Sequence, residues 1–242
     1  GSGVLLLSGA LVIVNETGSL AFGHIGVDSL GGKLILLSFG IKAAFPLLHN
    51  WLQDAYPEAT VTGTVFLSAF TTKLAIYALA RGFAGTDMLI WIGAIMAIFP
   101  LVYSAIENDL RRALAYILNH QLGFMVVGVG IGTELALNGV AAHAFAHVLY
   151  EGMMFMVLGA VLYRAGTAQG TALGGLFRYM PWTTAFWFVG TASIAGIPLF
   201  IGFTTKSMIL TAASLEGHWI AWTALVFASV GVFFLAAIKI PY

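Results

Sequence analysis

Residues 37–81 read LSFGIKAAFPLLHNWLQDAYPEATVTGTVFLSAFTTKLAIYALAR. Two apolar stretches flank a polar one, and each apolar stretch holds a lysine, Lys42 in the first and Lys73 in the second. A lysine at the centre of a bilayer-spanning helix costs roughly 2.5–3.5 kcal/mol on insertion scales. Pro46 follows Lys42 by four residues. It supplies no N–H, and its ring clashes with the carbonyl of Lys42, so the helix is expected to bend or unwind at that lysine. Membranes tolerate such a break where the freed backbone is buried in protein or lines a hydrated cavity. In transporters the exposed backbone at a break binds or guides ions. The competing account is snorkelling, in which a lysine stretches to the headgroups. It fits Lys42 least, because that lysine adjoins the break.

Outward from this stretch the chain stays apolar. Of 242 residues, 60% are hydrophobic and 8% are charged, and the mean hydropathy is +0.96. A water-exposed domain carries about 25% charged residues, so a lipid bilayer is the solvent this surface fits. With about 20 residues per span, the length allows about eight spans. The formal net charge is zero, which leaves no basic field for a nucleic-acid partner. The chain contains no cysteine, which excludes disulfides, thiolate metal sites and cysteine nucleophiles.

Apolar runs are read at 4–14, 33–49, 60–80, 88–105, 113–131, 139–163, 183–200 and 218–240. A second break is expected at Gly196, Pro198 and Gly202, and the helix that resumes carries Lys206. No linker is long enough to separate domains. The expectation is therefore an all-α, polytopic transmembrane helix bundle with two discontinuous helices, forming a single domain over 1–242. The 106–112 and 164–182 connections hold two Lys or Arg each, the 81–87 connection one, and the 15–30 and 132–138 connections none. By the positive-inside rule the richer pair faces the cytoplasm. Arg111 and Arg112 read as topology and headgroup anchors. Asp54 and Glu58, after the first break, read as a solvated loop or as partner charges at an entry point.

His143, His147 and Glu151 recur at i, i+4, i+8, which places them on one face of one helix. Three readings compete. Two histidines at this spacing with an acid can hold zinc, although no further hydrolytic machinery accompanies them. They can also hydrogen-bond neighbouring helices. The favoured reading is a proton relay, since histidine changes charge near neutral pH and burial brings lysine and carboxylate toward the same range.

Taken together, these segments resemble a known family. Residues 37–81 carry a lysine, a proline, a His-x-Trp-Leu-x-Asp-Ala run and a second lysine one helix later. DLRRALAYILNHQLGF, HAFAHVLYEGMMFMVLGAVLYRAG and IPLFIGFTTKSMIL follow in order. The pattern is similar to the proton-conducting antiporter family, which comprises Mrp-type cation/proton antiporter subunits and the antiporter-like subunits of respiratory complex I. SAFTTK, LGGLFRYMPWT and the closing KIPY look most like the D-type branch of the Mrp subunits.

The resemblance implies a hydrophilic axis at mid-membrane along which protons move. Lys42 matches the central lysine on the first broken helix, Lys73 the lysine of the next helix, and Lys206 the lysine beside the second break. His143 and His147 match the polar stretch between them. It also implies partners: other membrane subunits of a hetero-oligomeric antiporter or complex I-like assembly, with protons and monovalent cations such as Na+ as cargo. The setting is the lipid bilayer, in the bacterial inner membrane. No cofactor and no metal are expected. The chain departs from the family at two positions. Many members carry lysine where Glu151 stands, which reverses the sign of one site, and complex I members tend to carry histidine where Leu67 stands. The family's earlier helices, one bearing a glutamate that pairs with the central lysine, have no counterpart here. The opening residues resemble the family's sixth helix. The chain is thus expected to be the second half of a longer membrane protein, unable to run coupled transport alone.

Overall fold

A computed structural model describes residues 1–19 and 21–240. Pro241 and Tyr242 of the closing KIPY lie outside the described residues. Helix α1 runs Ser2–Thr17. Helix α2 runs Leu30–Lys42 and α3 runs Asn50–Glu58. Helix α4 covers Val61–Phe83, α5 Asp87–Ile106, α6 Leu110–Ile131 and α7 Glu134–Ala165. Helix α8 runs Pro181–Ala195, α9 Ile201–Leu215 and α10 Trp219–Lys239. Five of these (α4 to α7 and α10) are long and apolar enough to cross a membrane. The pairs α2/α3 and α8/α9 are the two expected discontinuous helices.

Local chemistry sets the helix starts. The Ser29 hydroxyl accepts from Gly32 N–H at 2.9 Å, and Thr60 accepts from Gly63 N–H at 3.1 Å. The Asp109 carboxylate takes the N–H groups of Arg111 and Arg112 at 2.9 and 3.0 Å. These are side-chain caps on the free first-turn donors of a helix.

The two breaks are copies of one another when Pro46 is aligned with Pro198. Two residues before each proline the backbone is left-handed, Ala44 at φ 60° and Gly196 at φ 76°. One residue after it the backbone is left-handed again, Leu47 at φ 69° and Leu199 at φ 78°. Phe45 N–H returns to Gly40 O at 2.9 Å and Ile197 N–H to Ala192 O at 3.0 Å. Each first half-helix also ends on a carbonyl taken by a side chain from the second half. Trp51 Nε1 donates to Ile41 O at 2.7 Å, and Lys206 Nζ donates to Ile194 O at 2.7 Å.

Helix α6 is the hub, buried along almost its whole length. It crosses α5 backbone to backbone: a Cβ on Gly93 would lie 2.6 Å from Val127 N, and one on Gly123 would lie 2.5 Å from Ala97 N. Small residues permit such an approach where lipid supplies no hydrophobic drive between helices. The outer helices expose large apolar side chains, among them Phe66, Leu74, Val102, Phe145 and Phe227.

Two sets of connections close the ends of the bundle. At one end Ile25 N–H reaches Gly82 O and Gly85 N–H reaches Val129 O. At the other, Leu110 N–H reaches Ala168 O and Gly170 N–H reaches Asn108 O. The two Lys/Arg-rich connections therefore share one end, as the charge count requires. Two readings are corrected here. The polar segment after the first break is not a loop but helix α3, with Asp54 held by Arg112 at 2.5 Å. Arg111 is not a headgroup anchor. It is 4% exposed, and its guanidinium donates to Pro57 O at 2.6 Å, Ala59 O at 2.9 Å and Thr64 Oγ1 at 2.5 Å.

Candidate functional site

The spans bring five of the six expected ionisable residues into one interior. Lys73 lies near the midpoint of α4 and is 8% exposed, Lys206 in α9 is 3% exposed, and His143, His147 and Glu151 in α7 are fully buried. Helix α7 presents its three residues on one face, as the spacing predicts.

Each lysine leans on a backbone carbonyl at a stretch of irregular helix. Residues Leu67–Thr71 of α4 form a π-helical turn, and Lys73 Nζ donates to Ser68 O within it at 2.5 Å. Lys206 Nζ takes Ile194 O at the C-terminal end of α8, where helix carbonyls lack intrahelical partners and favour a cation. The ammonium also sits 4.7 Å from the centroid of the Phe124 ring, a distance at which the ring face attracts a cation.

Between the lysines runs a series of polar groups. Glu151 is the one fully buried carboxylate among the described residues. Its Oε2 lies 3.7 Å from His147 Nε2, beyond direct hydrogen-bond range. The rings of His147 and His143 are 6.2 Å apart between centroids. His143 Nδ1 meets Thr205 Oγ1 at 2.8 Å, and its Nε2 meets Gln121 Oε1 at 3.1 Å. Gln121 Nε2 lies 3.4 Å from Ile194 O, the carbonyl that Lys206 uses.

Lys42 stands apart. It is exposed on the surface of the described bundle, 5.7 Å from the Trp51 ring centroid, and among the described residues no carboxylate lies within ion-pair distance of it. Pro46 and Pro198 sit in the two breaks, as expected.

The sequence reading missed His120, Gln121 and Thr205. His120 is fully buried, with Nδ1 2.6 Å from Ala97 O and Nε2 without a protein partner. The signal was present in Asn119-His120-Gln121, three consecutive polar residues at the middle of an apolar span. Tyr150 OH, both His147 nitrogens and both Glu151 oxygens are also buried without a protein hydrogen-bond partner. Buried polar groups of this kind take water as their partner. The zinc reading is disfavoured by the geometry, since both His143 nitrogens are already engaged by Gln121 and Thr205. Among the described residues no three His, Asp or Glu side chains gather in a metal-binding arrangement.

Comparison with known proteins gives a consistent result. Residues 1–231 match the family model described as NADH:quinone oxidoreductase/Mrp antiporter, TM. The chain is 31% identical over 221 residues to the N-type subunit of the NADH-quinone oxidoreductase of Desulforudis audaxviator, covering 86% of this chain and 44% of that protein. It is 29% identical over 237 residues to the D-type subunit of the Na(+)/H(+) antiporter of Alkalihalophilus pseudofirmus, covering 90% and 48%. A polypeptide of the Mrp complex from Dietzia sp. DQ12-45-1b superimposes with a TM-score of 0.91 at 26% identity, over 98% of this chain and 47% of that one. The chain thus spans about half the length of these relatives.

Proposed function

Because the chain belongs to the NADH:quinone oxidoreductase/Mrp antiporter transmembrane family, we propose that it is part of a multi-subunit membrane assembly of the bacterial inner membrane. In that assembly it conducts protons in exchange for a monovalent cation such as Na+. The observation that carries this reading is the buried series Lys73, Glu151, His147, His143 and Lys206 at mid-span. An isolated ionisable group inside a membrane bundle already points to function. Five on facing helices, with His143 hydrogen-bonded to Gln121 and Thr205 and with His147 and Glu151 left free to take water, offer a path along which a proton can be held and handed on.

The residues divide the work. Lys73 and Lys206 store charge, each steadied by a backbone carbonyl. Glu151, His147 and His143 bridge them, and the His147 and Glu151 atoms that have no protein partner can take a shared water beside the 3.7 Å contact. Lys42 and Pro46 bring the first break to the edge of the described bundle, where a partner segment or subunit can supply a carboxylate. The likeness to the D-type antiporter subunit and to a polypeptide of the Mrp complex supports cation/proton exchange. A second reading, a proton-pumping subunit of a redox-driven complex, is favoured by the 31% identity to the N-type subunit of an NADH-quinone oxidoreductase.

The test uses the complete complex in proteoliposomes. Under the antiport reading, an inward Na+ gradient drives proton flux without any electron donor. Lys73→Gln and Lys206→Gln each lower that flux by about tenfold or more, on the scale of losing a positioned proton-transfer group. Flux that appears only with an electron donor selects the redox reading. Flux that survives both substitutions at the normal rate removes the relay.

A further inference from the structure

We propose that Gln121 acts on His143 as a positioning residue and that Thr205 is its proton-transfer partner. Gln121 fixes the imidazole hydrogen on Nε2, and the Thr205 hydroxyl carries the proton that His143 gains and loses at Nδ1. The proposal rests on the reading of His143 as a relay group.

Ile194 O, a backbone carbonyl, can only accept hydrogen bonds. It lies 2.7 Å from Lys206 Nζ and 3.4 Å from Gln121 Nε2. Turning the Gln121 carboxamide over would set oxygen against oxygen, so its NH2 faces Ile194 and its Oε1 faces His143. Oε1 also only accepts. At 3.1 Å from His143 Nε2, it requires a hydrogen on that nitrogen in both the neutral and the charged imidazole. A hydrogen bond at one ring nitrogen sets the tautomer in this way. Titration is thereby confined to Nδ1.

Nδ1 faces Thr205 Oγ1 at 2.8 Å, and the same hydroxyl lies 3.3 Å from Gly202 O. A hydroxyl has one hydrogen and two lone pairs. With neutral His143, Thr205 O–H donates to Nδ1. With charged His143, Nδ1–H donates to Oγ1, and the hydroxyl hydrogen turns to Gly202 O. Both states are fully bonded, so neither leaves an orphaned buried group. In the transfer step a hydrated proton binds Oγ1 while the Oγ1–H bond breaks and the Nδ1–H bond forms. Water is released, the hydroxyl is regenerated, and no electron changes hands.

The Phe124 ring, 4.7 Å from Lys206 Nζ and 6.1 Å from the His143 ring, carries no proton acceptor. The other titratable groups about His143 are His147 and Tyr150 on α7, His120 on α6, Lys206 on α9 and Lys73 on α4. None of them is bonded to Nδ1.

The experiment uses the full-length protein in its complex, with 15N-labelled histidine observed by solid-state NMR and the His143 signals identified by their loss in His143→Gln. Neutral His143 is expected as the Nε2–H tautomer, and Gln121→Leu is expected to admit Nδ1–H. In proteoliposomes Thr205→Val, which keeps the shape but removes the hydroxyl, is expected to slow proton flux by about tenfold or more. Thr205→Ser should recover most of that loss. A neutral Nδ1–H tautomer in the unmodified protein, or wild-type flux in Thr205→Val, overturns the proposal alone. Undiminished flux in His143→Gln instead overturns the relay reading beneath it.

Discussion

Arg111 shows how a single side chain can hold a half-helix in place. Three oxygens, two of them carbonyls at the C-terminal end of α3, converge on its guanidinium at 2.5–2.9 Å. Removing it leaves those acceptors buried and unpaired, at about 1–3 kcal/mol for each group that water cannot reach. Arg111→Ala is therefore expected to lower the thermal midpoint of the purified complex by several degrees. Arg111→Lys should recover only part of the loss, because an ammonium cannot reproduce the planar fork. Arg112, whose ion pair with Asp54 is solvated, is the control: Arg112→Ala is expected to cost less than about 1 kcal/mol. Superimposable melting curves for Arg111→Ala and the unmodified protein would sink this account. The role was illegible in the sequence because a pair of arginines at a helix start looks alike in one dimension. Only the docking of α3 onto α6 separates the buried member from the exposed one.

At the scale of elements, the breaks make the site, and their tolerance is narrow. Gly202 opens α9, and a Cβ there would lie 1.7 Å from Ser193 O. No side chain can yield, because the obstacle is backbone. Gly202→Ala must therefore push α9 away from α8, drawing Lys206 off Ile194 O and Thr205 off His143. The expected result is a complex that assembles at reduced level and loses most proton flux. Gly174→Ala, at an exposed position with no atom near the added Cβ, should change neither yield nor flux. Wild-type flux from Gly202→Ala would show that the half-helices do not need this contact. The breaks themselves were legible, since Pro46 and Pro198 each stop a helix for a covalent reason. Helix α3 was not. Its polar residues look like a loop until Tyr56 and Leu52 are seen buried, and its charges are met from α6. The buried face of α7 that carries His143, His147 and Glu151 was legible from its spacing alone. Gln121 and Thr205 were not, because what marks them is which atoms of other helices they touch.

For the whole molecule, the alternation of spans and the Lys/Arg bias agree on one orientation. The 106–112 and 164–182 connections are joined by backbone hydrogen bonds and by Asn108 Nδ2 to Gln169 Oε1 at 2.9 Å, so they face the same compartment whatever the bundle's tilt. Lys239 adds a further cation at that end, where its Nζ caps the carbonyls of Ser104 and Glu107. The bias counts only positive residues near the ends of spans, which makes the cytoplasm the expected side. The composition offers a direct test, because the chain has no cysteine of its own and a single introduced thiol reports one position. Thr171→Cys and Gly174→Cys are exposed at the cation-rich end, and Ser19→Cys and Gly217→Cys are exposed at the other. In right-side-out vesicles a membrane-impermeant maleimide is expected to label Ser19→Cys and Gly217→Cys, and to reach the other two only after permeabilisation. The reverse pattern would invert the whole molecule, and with it the side to which each end of the series between Lys73 and Lys206 faces. Labelling of all four in sealed vesicles would mean that the connections do not alternate, which the pairing of half-helices across two breaks cannot accommodate.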